Sequence, residues 1–271
     1  MTDTTAAAAD EPKLGPISKW IRRIGVILGI GAPVLAVVMA LATGAGIIGW
    51  VTSLGSLRNL TYAAMGGGAL SLVAVIIALF SKNFRAMLWP LIAILVAVGF
   101  VGYTSYSFGK AATVPPIHDI TTDLSNPPAF DTLTLRSDNR EVVPDGDRAD
   151  MSDLDNAARW RMWHEEGYAD IQPIIVPVSV PDAVAAAEQL VTERGWELAV
   201  ADPATGRVEA TETVSIYRFK DDVVLRITPN PNGEGSIVHM RSVSRVGISD
   251  LGVNGDRIRA FLADLEAATA G

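Results

Sequence analysis

The chain has 271 residues, 49% of them hydrophobic, and contains no cysteine. The lack of cysteine excludes disulfide bonds, thiolate metal sites and cysteine nucleophiles. Residues 1–109 carry seven Lys/Arg and three Asp/Glu, a net charge of +4, whereas residues 110–271 carry fifteen and twenty-seven, a net charge of −12. A region this acidic repels nucleic acids and anionic lipid headgroups, so we expect no nucleic-acid partner.

Three long uncharged segments predict a transmembrane region over residues 24–109. A helix needs about 20 apolar residues to cross a bilayer, and each segment is long enough. The expected spans are 24–43, 60–81 and 86–108. Residues 1–23 are expected to form a disordered cytoplasmic tail. No ionisable side chain lies in mid-span, so the sequence gives no support for an ion or proton pathway.

The basic residues around the spans predict their orientation. Four lie before the first span, Lys82 and Arg85 lie between the second and third, and Arg58 stands alone on the opposite side. Because basic residues mark the cytoplasmic side, we expect a multi-pass protein with a cytoplasmic N-terminus and an extracytoplasmic C-terminal domain. In a bacterium these are the inner (plasma) membrane and the periplasm, and the lipid bilayer is the first expected partner.

A cleaved signal peptide over residues 24–42 is the alternative reading of the first span. Its leader would carry Asp3, Asp10 and Glu11, which the positively charged start of a signal peptide usually lacks. Cleavage would remove one span and leave the C-terminal domain outside the cytoplasm.

Residues 110–150 are rich in Pro, Asp, Ser and Thr and predict an extended acidic linker. The acidic run at 145–155 resembles a calcium loop only superficially. A loop begun at Asp145 has Ala149 where a ligand is needed and Asp150 where glycine is needed. We therefore expect a solvated segment without a metal.

Residues 151–271 predict a soluble α+β domain. Helices are expected at 152–166, 181–194 and 255–268, and strands at 174–180, 196–200, 207–219, 223–228 and 236–245. Turns are expected at Lys220–Asp222 and Pro229–Gly235. From the 174–180 strand onward the order is β-α-β-β-β-β-α, which predicts an antiparallel sheet with helices on one face. At the level of the fold this is similar to helix-grip proteins, in which an apolar groove lies beside the gripped helix.

The junction between the last strand and the last helix holds the main candidate site. Its candidate ligand- or anion-binding residues are Arg241, Ser244, Arg245, Ser249, Asp250 and Asn254. Arginines on one strand face and free N–H groups at a helix start both favour a carboxylate or phosphate. The alternative is internal: Arg245 or Arg257 pairs with one of the carboxylates Glu209, Glu212 and Asp222, and Asn254 caps the helix.

Three histidines, His118, His164 and His239, are far apart in sequence. His118 and Asp119 are adjacent, but no partner motif accompanies them, so structural roles are favoured. We expect no catalytic residue, no metal ligand and no cofactor from these patterns.

Five segments of the soluble region stand out as motifs: PPIHDITTDLSNPPAF (115–130), GYADIQPI (167–174), GRVEATE (206–212), FKDDVVLRI (219–227) and RSVSRVGISDLGVNGDRIRAFL (241–262). Together they resemble the bacterial and plant family of unknown function numbered 1499 (DUF1499), over residues 114–265. The last segment is the most specific. The resemblance implies one coherent fold and no established activity. Ala169 stands where the family usually has proline, which alters a turn.

These patterns predict a membrane-anchored envelope protein of unknown biochemical activity. The favoured hypothesis is a non-enzymatic module that binds an envelope protein or an apolar ligand. The first alternative is a periplasmic hydrolase-like enzyme with Ser, His and Asp and an arginine anion clamp, which requires Ser244 or Ser249 near His118. A sensor that signals through the spans is a further alternative.

Overall fold

The computed structural model describes residues 15–214 and 216–270 and divides between Phe108 and Gly109 into two units. The first unit is helical. Its helices are α1 (Pro16–Gly44), α2 (Trp50–Phe80), a short 3-10 helix (Phe84–Met87) and α3 (Leu88–Ala111). Three helices are long and apolar enough to cross a membrane, as predicted. The expected tail is helical from Pro16 onward, and residues 1–14 lie outside the described residues.

Close packing of α1 against α2 depends on small residues. A Cβ atom added to Gly67 would lie 2.2 Å from the backbone nitrogen of Gly29, and one added to Gly25 would lie 2.8 Å from the backbone nitrogen of Ser71. Both distances are shorter than atoms tolerate, so the two backbones approach this closely only with glycine at these positions. These glycines therefore serve helix packing within the chain.

The second unit is a six-stranded antiparallel sheet with helices. Its elements are β1 (Asp119–Thr121), α4 (Asn156–Gly167), β2 (Ile174–Val176), α5 (Val180–Glu193), β3 (Glu197–Asp202), β4 (Arg207–Val214), β5 (Phe219–Pro229), β6 (Ser236–Ser244) and α6 (Val253–Thr269). The strand order is β1-β6-β5-β4-β3, and β2 pairs with the other end of β6. The predicted α+β class is confirmed.

Helices α5 and α6 cover one face of the sheet, and their side chains form a core with it. Phe261 of α6 is fully buried and stacks on Trp196 with ring centroids 5.4 Å apart. Val184 and Ala187 of α5 are fully buried in the same core, against Leu225 of β5. The helix-grip analogy predicted an apolar groove here, and buried side chains from two helices fill that place.

Several element boundaries differ from the prediction, and two of them have a clear local reason. The turn expected at Lys220–Asp222 lies inside β5, and the chain reverses at residues 216–218, where Arg218 has φ +54°. The strand expected at 174–180 ends at Val176, because Ser179 caps α5 by accepting a hydrogen bond from the backbone N–H of Asp182.

The segment predicted as a solvated linker is part of the domain. Asp119–Thr121 forms β1 at the sheet edge, and Ile117, Ile120 and Val143 are buried in the core. Residues 123–140, here called the strap, run without regular structure across the sheet face that α5 and α6 leave open. Its Pro and Asp content indicated irregular backbone correctly but gave no sign of this packing.

Candidate functional site

The candidate residues on β6 alternate between the two faces of the sheet. Arg241 and Arg245 face the strap side, whereas Ser242 and Ser244 face α6. The strand pairing aligns Arg241 beside Val224, and Asp119 beside Val243. The predicted sequence cluster is therefore two separate polar groups, one on each side of the strand.

On the strap side, Asp119 is the centre of the first group. Arg241 donates to both carboxylate oxygens of Asp119, each over 2.8 Å, and also to the carbonyl of Pro128 in the strap over 3.1 Å. Arg140 and Asn139 donate to Asp119 Oδ2 over 2.6 and 2.8 Å. Burial alone would raise the pKa of the Asp119 carboxyl, but Arg241 and Arg140 hold it well below its usual range. The carboxylate is thus fully committed to groups of its own chain.

Arg140 also contacts the aromatic residues of α4. Its guanidinium lies 3.3 Å from the ring centroid of Trp160, whose indole N–H donates to the Asp119 carbonyl over 2.8 Å. His164, one turn further, accepts the backbone N–H of Thr121 over 3.1 Å. Burial lowers the pKa of His164 to about 4, so this histidine is neutral at physiological pH.

Glu209 fixes the middle of the strap. Its side chain is completely buried, and its carboxylate accepts the backbone N–H groups of Asp131, Thr132 and Leu133 over 2.7 to 3.3 Å. Hydrogen bonds to a charged carboxylate are stronger than those between neutral groups, so these three amides are held firmly although they pair with no strand. The strap therefore stays on the sheet without forming a strand.

Arg245 forms the outer end of the strap-side group. It holds both oxygens of Asp222 in a fork, each over 2.8 Å, and donates to Thr211 Oγ1 over 3.2 Å. The hydrogen bond to Asp222 raises the pKa of Arg245 further. The Asp222 side chain is 4% exposed, whereas that of Arg245 is 41% exposed. The structure thus shows the internal alternative, in which Arg245 pairs with a carboxylate of its own chain.

Asn254 is the centre of the second group, on the helix side. Its amide donates to Ser244 Oγ and to the carbonyl of His118, each over 2.9 Å, and accepts from Ser242 Oγ over 2.6 Å. Arg257 joins it and pairs with Asp221 over 2.6 Å. A further Arg257 contact reaches Glu212. Asn254 is completely buried and connects α6 to β6 and to His118, the residue before β1.

Asp250, rather than Asn254, caps α6. Its carboxylate accepts the backbone N–H groups of Gly252 and Asn254 over 3.0 and 2.5 Å. Burial raises the pKa of Asp250 despite these two donors. Ser249 accepts the N–H of Leu251 over 3.2 Å and is part of the same turn. The prediction that Asn254 caps the helix is therefore wrong, because its side chain turns inward to β6.

The hydrolase alternative requires Ser244 or Ser249 beside the His118 ring, and the hydrogen bonds of that ring go to other groups. His118 Nδ1 lies 3.0 Å from the Ile248 carbonyl oxygen, and Nε2 lies 3.1 Å from Asn139 Oδ1. Both ring nitrogens are thus occupied by non-serine partners, while Ser244 Oγ is held by Asn254. No group of three or more possible metal ligands occurs in the part of the chain that the structure describes.

Among the clefts lined by the described residues of the domain, two are the largest and both are open to solvent. One of about 440 Å³ is lined by residues 111–116, Gly146, Trp163 and the end of α4, and one of about 360 Å³ is lined by residues 121–125 and 164–172. Both mix polar and apolar lining, and neither is an enclosed apolar cavity. They do not match the apolar-ligand form of the binding hypothesis.

Sequence reasoning missed Asp119 as the centre of a cluster, and it missed Arg140 and the role of the strap. A signal was present, because Asp119, Glu209 and the Asp221–Asp222 pair lie in three different segments that carry the family resemblance. The structure joins those separate segments through the two polar groups.

The fold and its two polar groups define an α+β domain that follows three membrane-capable helices. The model of the family described as Protein of unknown function (DUF1499) matches residues 119–265, and the chain belongs to this family. The search of curated proteins found no match, and neither did the search of solved structures.

Proposed function

We propose that this protein is a membrane-anchored, non-enzymatic module that presents its C-terminal domain outside the cytoplasm, where the domain binds an envelope protein. In a bacterium the membrane is the inner membrane and the compartment is the periplasm. The observation that carries the non-enzymatic assignment is that the candidate polar side chains are committed to internal partners. Arg241, which pairs with Asp119, and Asn254 are the clearest cases.

The orientation rests on charge asymmetry. The three helices carry basic residues at the N-terminal end and between the second and third spans, with Arg58 alone on the other side. Three crossings from a cytoplasmic N-terminus leave residues 110–271 outside. A C-terminal alkaline phosphatase fusion should be active, and a C-terminal green fluorescent protein fusion should be dark. The reverse pattern would contradict the orientation.

Anion binding at the strand-to-helix junction is a second candidate, supported by one observation. Arg245 keeps 41% of its side chain exposed while its carboxylate partner Asp222 is buried. An external carboxylate or phosphate therefore has access to this guanidinium, unlike that of the buried Arg241. Variants of Arg245 separate the two roles, because a structural arginine affects stability and a ligand-binding one affects function alone.

A further inference from the structure

We propose that the loop of residues 246–252, together with Val142, docks on the surface of the lipid bilayer that the helices of this chain enter. The contact is made by three aliphatic side chains, Val142, Ile248 and Leu251, which insert among the headgroups. The occupant of this patch is thus the membrane itself, and the inference is independent of the proposed partner-binding function.

The three side chains are exposed although they are apolar. Val142, Ile248 and Leu251 are 63%, 47% and 41% exposed. Val142 and Ile248 line one narrow crevice with Pro116, so they lie on the same part of the surface. A group of exposed aliphatic residues at one place marks an interaction surface more often than scattered single residues do.

The backbone at Leu251 gives a second, independent observation. Leu251 has φ +58°, a left-handed conformation in which glycine or asparagine is far less strained than leucine. The turn thus holds a bulky side chain in a strained backbone and exposes it to solvent. Both costs disfavour leucine in water. Burial of the side chain in the membrane interface removes the cost of exposure and offsets the backbone strain.

The loop is connected closely to the residues that follow the last membrane helix. The Asp250 N–H donates to the Ile117 carbonyl over 3.3 Å, and a Cβ on Gly252 would lie 3.3 Å from Val114 Cγ1. Val114 is three residues beyond Ala111, the end of α3, and at about 3.5 Å per residue it lies within roughly 11 Å of it. The interfacial layer on each side of a bilayer is about 5–8 Å thick. The chain length thus permits Val114, and with it the loop, to lie at the headgroups.

Charge restricts the type of contact. Residues 110–271 carry a net charge of −12, so anionic headgroups repel the domain. Docking must then come from apolar insertion, which salt does not screen. The expected lipid is a zwitterionic phosphatidylcholine surface, and the contact should persist at high ionic strength.

The absence of cysteine allows a direct test in the full-length protein. Single cysteines at positions 142, 248 and 251 are labelled with an environment-sensitive fluorophore, and the protein is reconstituted in phosphatidylcholine with or without a headgroup-proximal doxyl quencher. Ile175→Cys is the matched control: Ile175 is 59% exposed and pairs with Ile237 near the far end of β6. We expect at least about twofold quenching at the three patch positions and little at the control. Quenching at the patch no stronger than at position 175 overturns the proposal.

A second variant tests the role of the loop without harming the fold. Leu251→Gly with Ile248→Ser removes both loop side chains, and glycine accepts the positive φ at 251. The label at position 142 should lose most of its quenching while the melting temperature stays unchanged or rises. Undiminished quenching at 142, or quenching abolished by high salt, contradicts apolar docking by this loop.

Discussion

Replacing Arg241 with alanine should lower the free energy of unfolding of the domain strongly. The substitution leaves the Asp119 carboxylate, whose side chain is 1% exposed, without its bidentate partner, and it removes the donor to the Pro128 carbonyl. Removing one partner of a buried ion pair costs about 3–5 kcal/mol. Arg140 still pairs with Asp119 in this variant and offsets part of the cost. We expect a loss of about 4 kcal/mol in the free energy of unfolding. With a slope near 2 kcal/mol per M urea, the midpoint should fall by about 2 M.

The assay is urea unfolding of the chain in mild detergent, followed by near-ultraviolet circular dichroism, which reports the packed aromatic residues around Trp160. Arg245→Ala is the matched control. The Arg245 side chain is 41% exposed, so its loss should cost only about 1–2 kcal/mol in unfolding free energy. Adding Asp119→Asn to Arg241→Ala should recover part of the loss, since the unpaired charge is then absent. Equal, small losses in unfolding free energy for both arginine variants would refute the claim that Arg241 stabilises the domain more than Arg245 does.

Three further predictions concern the domain as a whole. Phe261→Ala should cost about 3–5 kcal/mol in unfolding free energy, because Phe261 is completely buried against Trp196; a change below 1 kcal/mol in chemical denaturation would contradict the packing. Residues 111–271 should fold alone, since they lie within one compact unit, and an insoluble fragment without a cooperative melt would count against this. As pH falls from 6.5 to about 4, the unfolded chain binds a proton at His164 that the folded chain excludes. Stability should therefore decline by roughly 2–4 kcal/mol over this window, and His164→Gln should flatten the decline.

The sequence predicts the elements whose residues repeat with a regular period. The alternation along β6 placed its arginines on one face, and the helix expected at 255–268 is α6, whose Ile258, Phe261 and Leu262 are buried at helical spacing. Such repeats reflect burial on one side of an element, which is a local property of the chain.

Two errors have one physical cause, which is that tertiary contacts override local composition. Lys220–Asp222 has the composition of a turn, yet Asp221 and Asp222 face opposite sides of β5 and each meets an arginine, Arg257 and Arg245 respectively. The strap has the composition of a linker, yet Glu209 binds its backbone amides. No periodicity records such contacts, because both partners are distant in sequence.

The internal role of the arginine cluster is the central claim, and Arg245 tests it most directly. Arg245→Ala leaves Asp222 buried and unpaired, so the melting temperature should fall by a few degrees. Complementation of a deletion strain should weaken in parallel through lower protein abundance. A structural role predicts that adding Asp222→Asn, which removes the unpaired charge, restores both.

The decisive measurement is therefore melting temperature and complementation on the same Arg245→Ala, Asp222→Asn double variant. Our account predicts that both return together toward the wild-type level. A double variant with wild-type melting temperature and abundance that fails to complement would contradict it, and would assign Arg245 to an external carboxylate or phosphate.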